Sequence, residues 1–170
     1  MAISMFNISV PIFIRHLNGL AHCMKKAQAV YAEKKYDEGT LMIQRLYPDM
    51  FTFARQIQQA TDHARNCAGA LAGVESPAYE MNEKSLADLI GRVEKTLAFL
   101  KALTPAQIDG TDTKKLTIKV MGKDTDFVGI DLLQNRALPN FYFHVTTAYD
   151  ILRVNGIEIG KLDFMGATAQ

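Results

Sequence analysis

Apolar residues recur at helical spacing in four long segments of the chain. The first segment carries an apolar stripe from Phe6 to Tyr31, which predicts an amphipathic helix running to about Lys34, with Pro11 in or near its first turn. The stripe consists of Phe6, Val10, Phe13, Ile14, Leu17, Leu20, Ala21, Met24 and Tyr31. A short helical turn is predicted from Leu41 to Arg45.

The next two segments predict a second and a third long helix. The second is predicted to begin at Pro48-Asp49, with Asp49 as its cap, and to end at Gly73. Its apolar face holds Met50, Phe53, Ala54, Ile57, Ala60, Ala64, Ala68 and Leu71. The third follows Asn82, with an apolar face of Leu86, Leu89, Ile90, Val93, Leu97 and Leu100. A short turn capped at Thr104-Pro105 comes next.

The spacing changes from helical to alternating near residue 115. Lys115 to Val120 is predicted as a strand and Thr125 to Val128 as its hairpin partner. A short helix is expected from Ile130 to Ala137, stopped before Pro139. The last long helix is predicted from Pro139-Asn140 to Asn155, with Gly156 as its cap.

This order of elements predicts a mainly all-α protein with one domain over residues 1–170. A four-helix bundle over residues 1–156 is the simplest way to bury four apolar stripes. The small β-hairpin near residues 115–128 is inserted before the last long helix, and residues 157–170 form a C-terminal tail.

Composition and charge exclude several other classes of protein. The chain has 170 residues, 48% of them hydrophobic and 22% charged, with a formal net charge of +1. These values exclude a disordered chain, a collagen and a polybasic nucleic-acid tail. The two cysteines, Cys23 and Cys67, are not spaced as a metal or redox pair, so we expect buried thiols and a cytoplasmic protein.

No motif in the sequence identifies a reaction, so the histidines are the main candidates for chemistry. His22 and His63 project away from the apolar stripes of their helices, which predicts that both are exposed. His144 lies within the apolar face of the last helix, and Asn140 is one turn earlier on the same side. Two inward polar side chains need partners. His144 is therefore either a satisfied core histidine or one wall of a polar pocket.

The second helix offers the opposite wall of such a pocket. Gln58 and Asp62 are four residues apart beside its apolar stripe. The alternative is that Asp62 forms surface ion pairs with Arg55 and Arg65.

Several segments together carry a resemblance to a known superfamily. They are Ser9-Val10-Pro11, Leu46 to Met50, Arg55 to Gln58 with Ala60 and Asp62, Leu138 to Tyr149, Ile151 to Arg153, and Asn155-Gly156. Over nearly all of its length the chain resembles the DinB-like superfamily, and within it an uncharacterised family known as a domain of unknown function. The resemblance implies a four-helix bundle that is often a homodimer.

The same resemblance raises the question of a metal. Many members of the superfamily bind a divalent metal through one histidine on the second helix and an H-x-x-x-H pair on the last, and some use low-molecular-weight thiols. In this sequence the positions of the last-helix histidine pair are Asn140 and His144. On the second helix, Gln58 is the closest match to the metal-binding histidine, because His63 is too far along the helix and on the wrong face. Neutral amides are weak metal ligands, so we predict no metal and no cofactor.

Three functions are compatible with this sequence. The first is binding of a small molecule in a pocket formed by His144, Asn140, Gln58, Asp62 and Tyr142, in a homodimer with no nucleic-acid or membrane partner. The second is a hydrolase or thiol-dependent transferase in which His144 is a general base or the single imidazole ligand of a divalent metal. The third is a structural interaction module that uses the hairpin or the tail.

Overall fold

The computed structural model describes residues 4–120 and 122–167. Its elements in chain order are α1 (Val10–Lys34), α2 (Glu38–Met42), α3 (Phe53–Ala72), α4 (Leu86–Lys101), α5 (Pro105–Ile108), β1 (Lys115–Val120), β2 (Lys123–Val128), α6 (Gly129–Asp131), a π-helical turn (Leu132–Ala137), α7 (Leu138–Val154) and α8 (Lys161–Phe164). The four long helices form the predicted bundle, in which α1 and α3 each lie between α4 and α7. No helix in the described part is long and apolar enough to cross a membrane.

Two helices begin later in the chain than the sequence predicted. The hydroxyl of Thr52 accepts from the Arg55 N–H and caps α3, whereas Asp49 lies in the preceding turn. Ser85 caps α4 and forms a reciprocal capping box with Asp88, so the expected start after Asn82 is also wrong. In both cases a hydroxyl closer to the first buried turn satisfies the free N–H groups at the helix start.

Residues 129–154 run as one continuous helical segment through Pro139. The predicted stop before this proline is therefore wrong. The Leu138 N–H bonds to the carbonyl of Leu133, five residues back, and Pro139 occupies the first turn of α7, where no N–H is needed. The wider π-helical turn brings Arg136 to the side of the bundle that carries the hairpin.

The hairpin precedes α7 as predicted and packs against α3. Its strands pair from Lys115↔Val128 to Val120↔Lys123, so β2 begins two residues earlier than expected. Leu116 is its buried anchor, and Phe127 lies beneath the Arg136 guanidinium at 5.9 Å. The hairpin therefore stands over the same face of α3 as the π-helical turn.

The tail is docked on α1 through residue 166. A Cβ atom at Gly19 would lie 2.7 Å from the Asp163 carbonyl oxygen, so a glycine is needed where α8 crosses α1. The Asp163 carboxylate lies 3.0 Å from His22 Nε2 and 3.3 Å from Lys26 Nζ. His22 is thus half-buried by this contact, and the prediction that it is exposed is wrong.

Candidate functional site: a histidine pair beside a cleft

His144 is held in one orientation by a glutamine on α3. Its Nδ1 lies 2.7 Å from Gln56 Oε1, and the Gln56 amide donates from Nε2 to the Phe51 carbonyl at 3.2 Å. Because the Gln56 amide oxygen can only accept, Nδ1 of His144 is the donor. Its Nε2 therefore carries the lone pair.

His63 stacks on the ring of His144. The two ring centroids are 5.6 Å apart and the planes differ by 12°, while Phe51 stacks on His144 at 6.2 Å. The prediction that His63 is exposed on the wrong face of its helix is therefore wrong. Because α3 packs closely on α7, the buried side of α3 extends beyond its apolar stripe and includes this polar residue.

Burial holds both rings neutral at pH 7. Desolvation is the main cause that lowers the pKa of His63 and of His144 to about 4. The charge on Arg136 lowers the pKa of His63 further, with partial opposition from Asp62. The His63 ring and the charge on Arg55 lower the pKa of His144 further. Each neutral imidazole offers one donor and one acceptor.

A cleft of about 420 Å³ opens beside His63, between α3, the loop after it, β1 and the π-helical turn. The polar part of the lining is Gln59, Asp62, His63, Asn66, Ser76, Lys119 and Arg136. The apolar part is Cys67, Ala70, Val74, Ile118, Leu132 and Ala137. His63 reaches this cleft, whereas His144 lies behind it.

The five residues proposed from the sequence are not brought together in this cleft. Only Asp62 lines the cleft, and Gln58 instead donates to Glu83 at 2.8 Å. Asn140 donates to the Arg136 carbonyl at 2.7 Å. The Tyr142 ring packs against His16 at 5.0 Å, away from His144.

A buried ion network engages the Asp62 side chain, and sequence reasoning missed it. The Arg92 side chain is 2% exposed and donates to Asp62 at 2.6 Å and to Glu83 at 2.7 Å. Arg65 also pairs with Asp62 at 3.1 Å, and both guanidinium groups face the ring of Tyr79. The expected pairing of Asp62 with Arg65 is present, but it belongs to this network.

One signal in the sequence pointed to the network. Arg92 is three residues after Leu89 and four before Thr96, so it lies on the buried side of α4. An arginine at such a position needs acidic partners. Arg55, the other expected partner of Asp62, instead donates to Gln58 at 3.2 Å and contacts Met81.

The three-histidine metal site of the superfamily does not fit the residues present. Within residues 4–120 and 122–167, no three His, Cys, Asp or Glu side chains are grouped so that they can hold a metal ion. The rings of His63 and His144 are nearly parallel, so their in-plane lone pairs do not converge on one point. Asn140, in place of the first last-helix histidine, is turned to the backbone.

Comparison with known proteins supports the class that the fold defines, a DinB-like four-helix bundle. A crystal structure of a DinB family member protein from Shewanella denitrificans superimposes with a TM-score of 0.84 at 34% identity, covering 95% of this chain and 91% of that one. Residues 5–165 match the family described as "Domain of unknown function (DUF1993)", and the chain belongs to that family. A search of curated proteins finds no match.

Proposed function

We propose that this protein binds a small organic molecule in the cleft beside His63. The observation that carries the proposal is the lining of the cleft. One side is polar and includes the neutral imidazole of His63, and the other side is apolar. Its volume of about 420 Å³ lies within the range of small-molecule sites. His144 supports the site from behind, because it fixes the ring of His63 by stacking.

Binding is a better account than catalysis for the groups that line this cleft. Burial raises the pKa of the Cys67 thiol to about 12, so it is not a nucleophilic thiolate at pH 7. A histidine with a pKa of about 4 is a weak general base at neutral pH. Hydrogen bonding by the neutral ring is the role that this environment favours.

The experiment is a fragment screen by saturation-transfer NMR on four proteins, the wild type and three variants. Ala70 is half-buried in the wall of the cleft, so Ala70→Trp fills the space and Ala70→Leu fills part of it. Ala98→Trp places the same indole on the exposed face of α4, outside the cleft, and is the matched control. Circular dichroism checks that each variant is folded.

We expect some fragments to bind both the wild type and Ala98→Trp. Their binding should be weaker to Ala70→Leu and weakest to Ala70→Trp, which has the larger side chain in the cleft. Fragments that bind the filled variants as well as the wild type would place the binding elsewhere and overturn the proposal. The absence of any binding fragment from a library of anionic, neutral and cationic compounds would do the same.

A further inference from the structure

We infer that the molecule bound in this cleft is an organic anion, a carboxylate or phosphate carried on an apolar body. This inference rests on the proposed function and assigns the chemical class of its ligand. It follows from the placement of charges around the cleft, which leaves cations without acidic partners beside an apolar surface.

Arg136 is the first of these cations. It projects from the π-helical turn, lines the cleft and is half-buried. Its guanidinium lies over the Phe127 ring at 5.9 Å, but in the part of the chain described here it has no carboxylate partner. A partly desolvated guanidinium with its N–H groups free is suited to a bidentate bond with a carboxylate or phosphate.

Lys119 is the second cation, on the hairpin wall of the cleft. It stands opposite Asp124 in the strand register, yet the two side chains form no ion pair among those found in the described residues. Its flexible ammonium group is therefore available to a ligand that Arg136 has bound.

Asp62, the one carboxylate among the described residues that line the cleft, does not cancel these charges. Asp62 is held by Arg92 at 2.6 Å and by Arg65 at 3.1 Å, and Arg92 also binds Glu83. Two guanidinium groups thus balance two carboxylates within the network. The positive charge of Arg136 and Lys119 remains uncompensated on the cleft side.

The rest of the wall determines the kind of anion. Ala70, Val74, Ile118 and Leu132 give the cleft a side without charges, which accommodates an aryl or alkyl group. A free inorganic ion would leave this apolar surface uncovered. A ligand that places its oxyanion on Arg136 and its apolar body on this side uses both features.

The test uses four probes of similar shape and different charge: benzoate, phenyl phosphate, benzamide and benzylamine. Binding is measured by chemical-shift titration of the 170-residue chain. We expect benzoate and phenyl phosphate to bind about tenfold more tightly than benzamide, the size expected for a charge-assisted hydrogen bond, with benzylamine the weakest. The preferred anion then separates a carboxylate ligand from a phosphate ester.

Variants connect the effect to the two cations. Arg136→Gln and Lys119→Gln are expected to remove most of the preference for anions, whereas Lys115→Gln, on the same strand but outside the cleft lining, is expected to keep it. If benzamide or benzylamine binds as tightly as benzoate, the anion inference is overturned and the cleft function stands. If none of the four binds, or if Ala70→Trp leaves their binding unchanged, the proposed function itself is overturned.

Discussion

Replacement of Arg92 by methionine tests whether the buried ion network fixes the wall of the cleft. The guanidinium donates to the Asp62 and Glu83 carboxylates, to Thr61 Oγ1 at 2.8 Å and to the Glu80 carbonyl at 2.9 Å. These bonds tie the loop after α3 to both α3 and α4. Methionine keeps most of the side-chain volume but removes every one of these donors.

The magnitude follows from what the variant leaves behind. Removing one partner of a buried ion pair costs about 3–5 kcal/mol of the free energy of unfolding. Asp62 keeps Arg65 and Glu83 keeps Gln58, so we expect the lower end, about 3 kcal/mol. Urea denaturation followed by circular dichroism measures this loss.

Two further variants decide whether the reasoning is right. The control is Lys95→Met, because Lys95 is on the same helix, three residues after Arg92, but is exposed. This variant is expected to change the free energy of unfolding by less than about 0.5 kcal/mol. Adding Glu83→Gln to Arg92→Met removes an uncompensated charge and is expected to restore part of the loss. A loss below about 1 kcal/mol for Arg92→Met, or no recovery in the double variant, would refute this account of the network.

Three other predictions concern the histidine pair and the docked tail. His63 and His144 have pKa values of about 4, below that of an unfolded histidine. Their contribution to the free energy of unfolding is therefore complete above about pH 6.5 and is lost progressively as the pH falls to about 4. NMR titration of the ring protons checks both values, and titration near pH 6.5 would contradict them. Gln56→Leu leaves the buried Nδ1–H of His144 without an acceptor, so we expect urea denaturation to show a loss of about 1–3 kcal/mol in the free energy of unfolding. Adding His144→Phe to Gln56→Leu removes that N–H and is expected to restore part of the loss. Gly19→Ala forces a Cβ to 2.7 Å from a carbonyl oxygen of α8, so hydrogen exchange over residues 157–166 should accelerate, whereas Gly91→Ala, with nothing within 4 Å, should leave it unchanged.

The fold was predictable because each long helix carries a continuous apolar stripe. The buried residues of α1 and α4 are largely those of the predicted stripes, and the alternation after residue 115 correctly located the hairpin. Helix ends were less predictable, since Asp49 and Thr52 are both good caps and tertiary packing selects between them. The path through Pro139 depends on a π-helical turn that has no simple sequence signature.

The candidate site was only partly predictable from the sequence. Periodicity correctly marked His144 as inward, but it assigned His63 to solvent, because an apolar stripe does not show how far a neighbouring helix covers its polar edge. The cations of the cleft come from the hairpin and the π-helical turn, so their meeting is a long-range feature of the fold. The homodimer stays a prediction, with Phe143, which is 55% exposed, or Phe99 as its candidate contact.

The central claim is that the cleft beside His63 is the binding site, and amide chemical-shift mapping tests it most directly. In a titration of ¹⁵N-labelled protein with benzoate, the account predicts that the largest shifts fall on residues 62–76, 118–119 and 132–137. Another cleft of the structure is lined by Met5, Ile8 and Val128 among others. Shifts centred on that cleft, or spread evenly over the surface, would contradict the account.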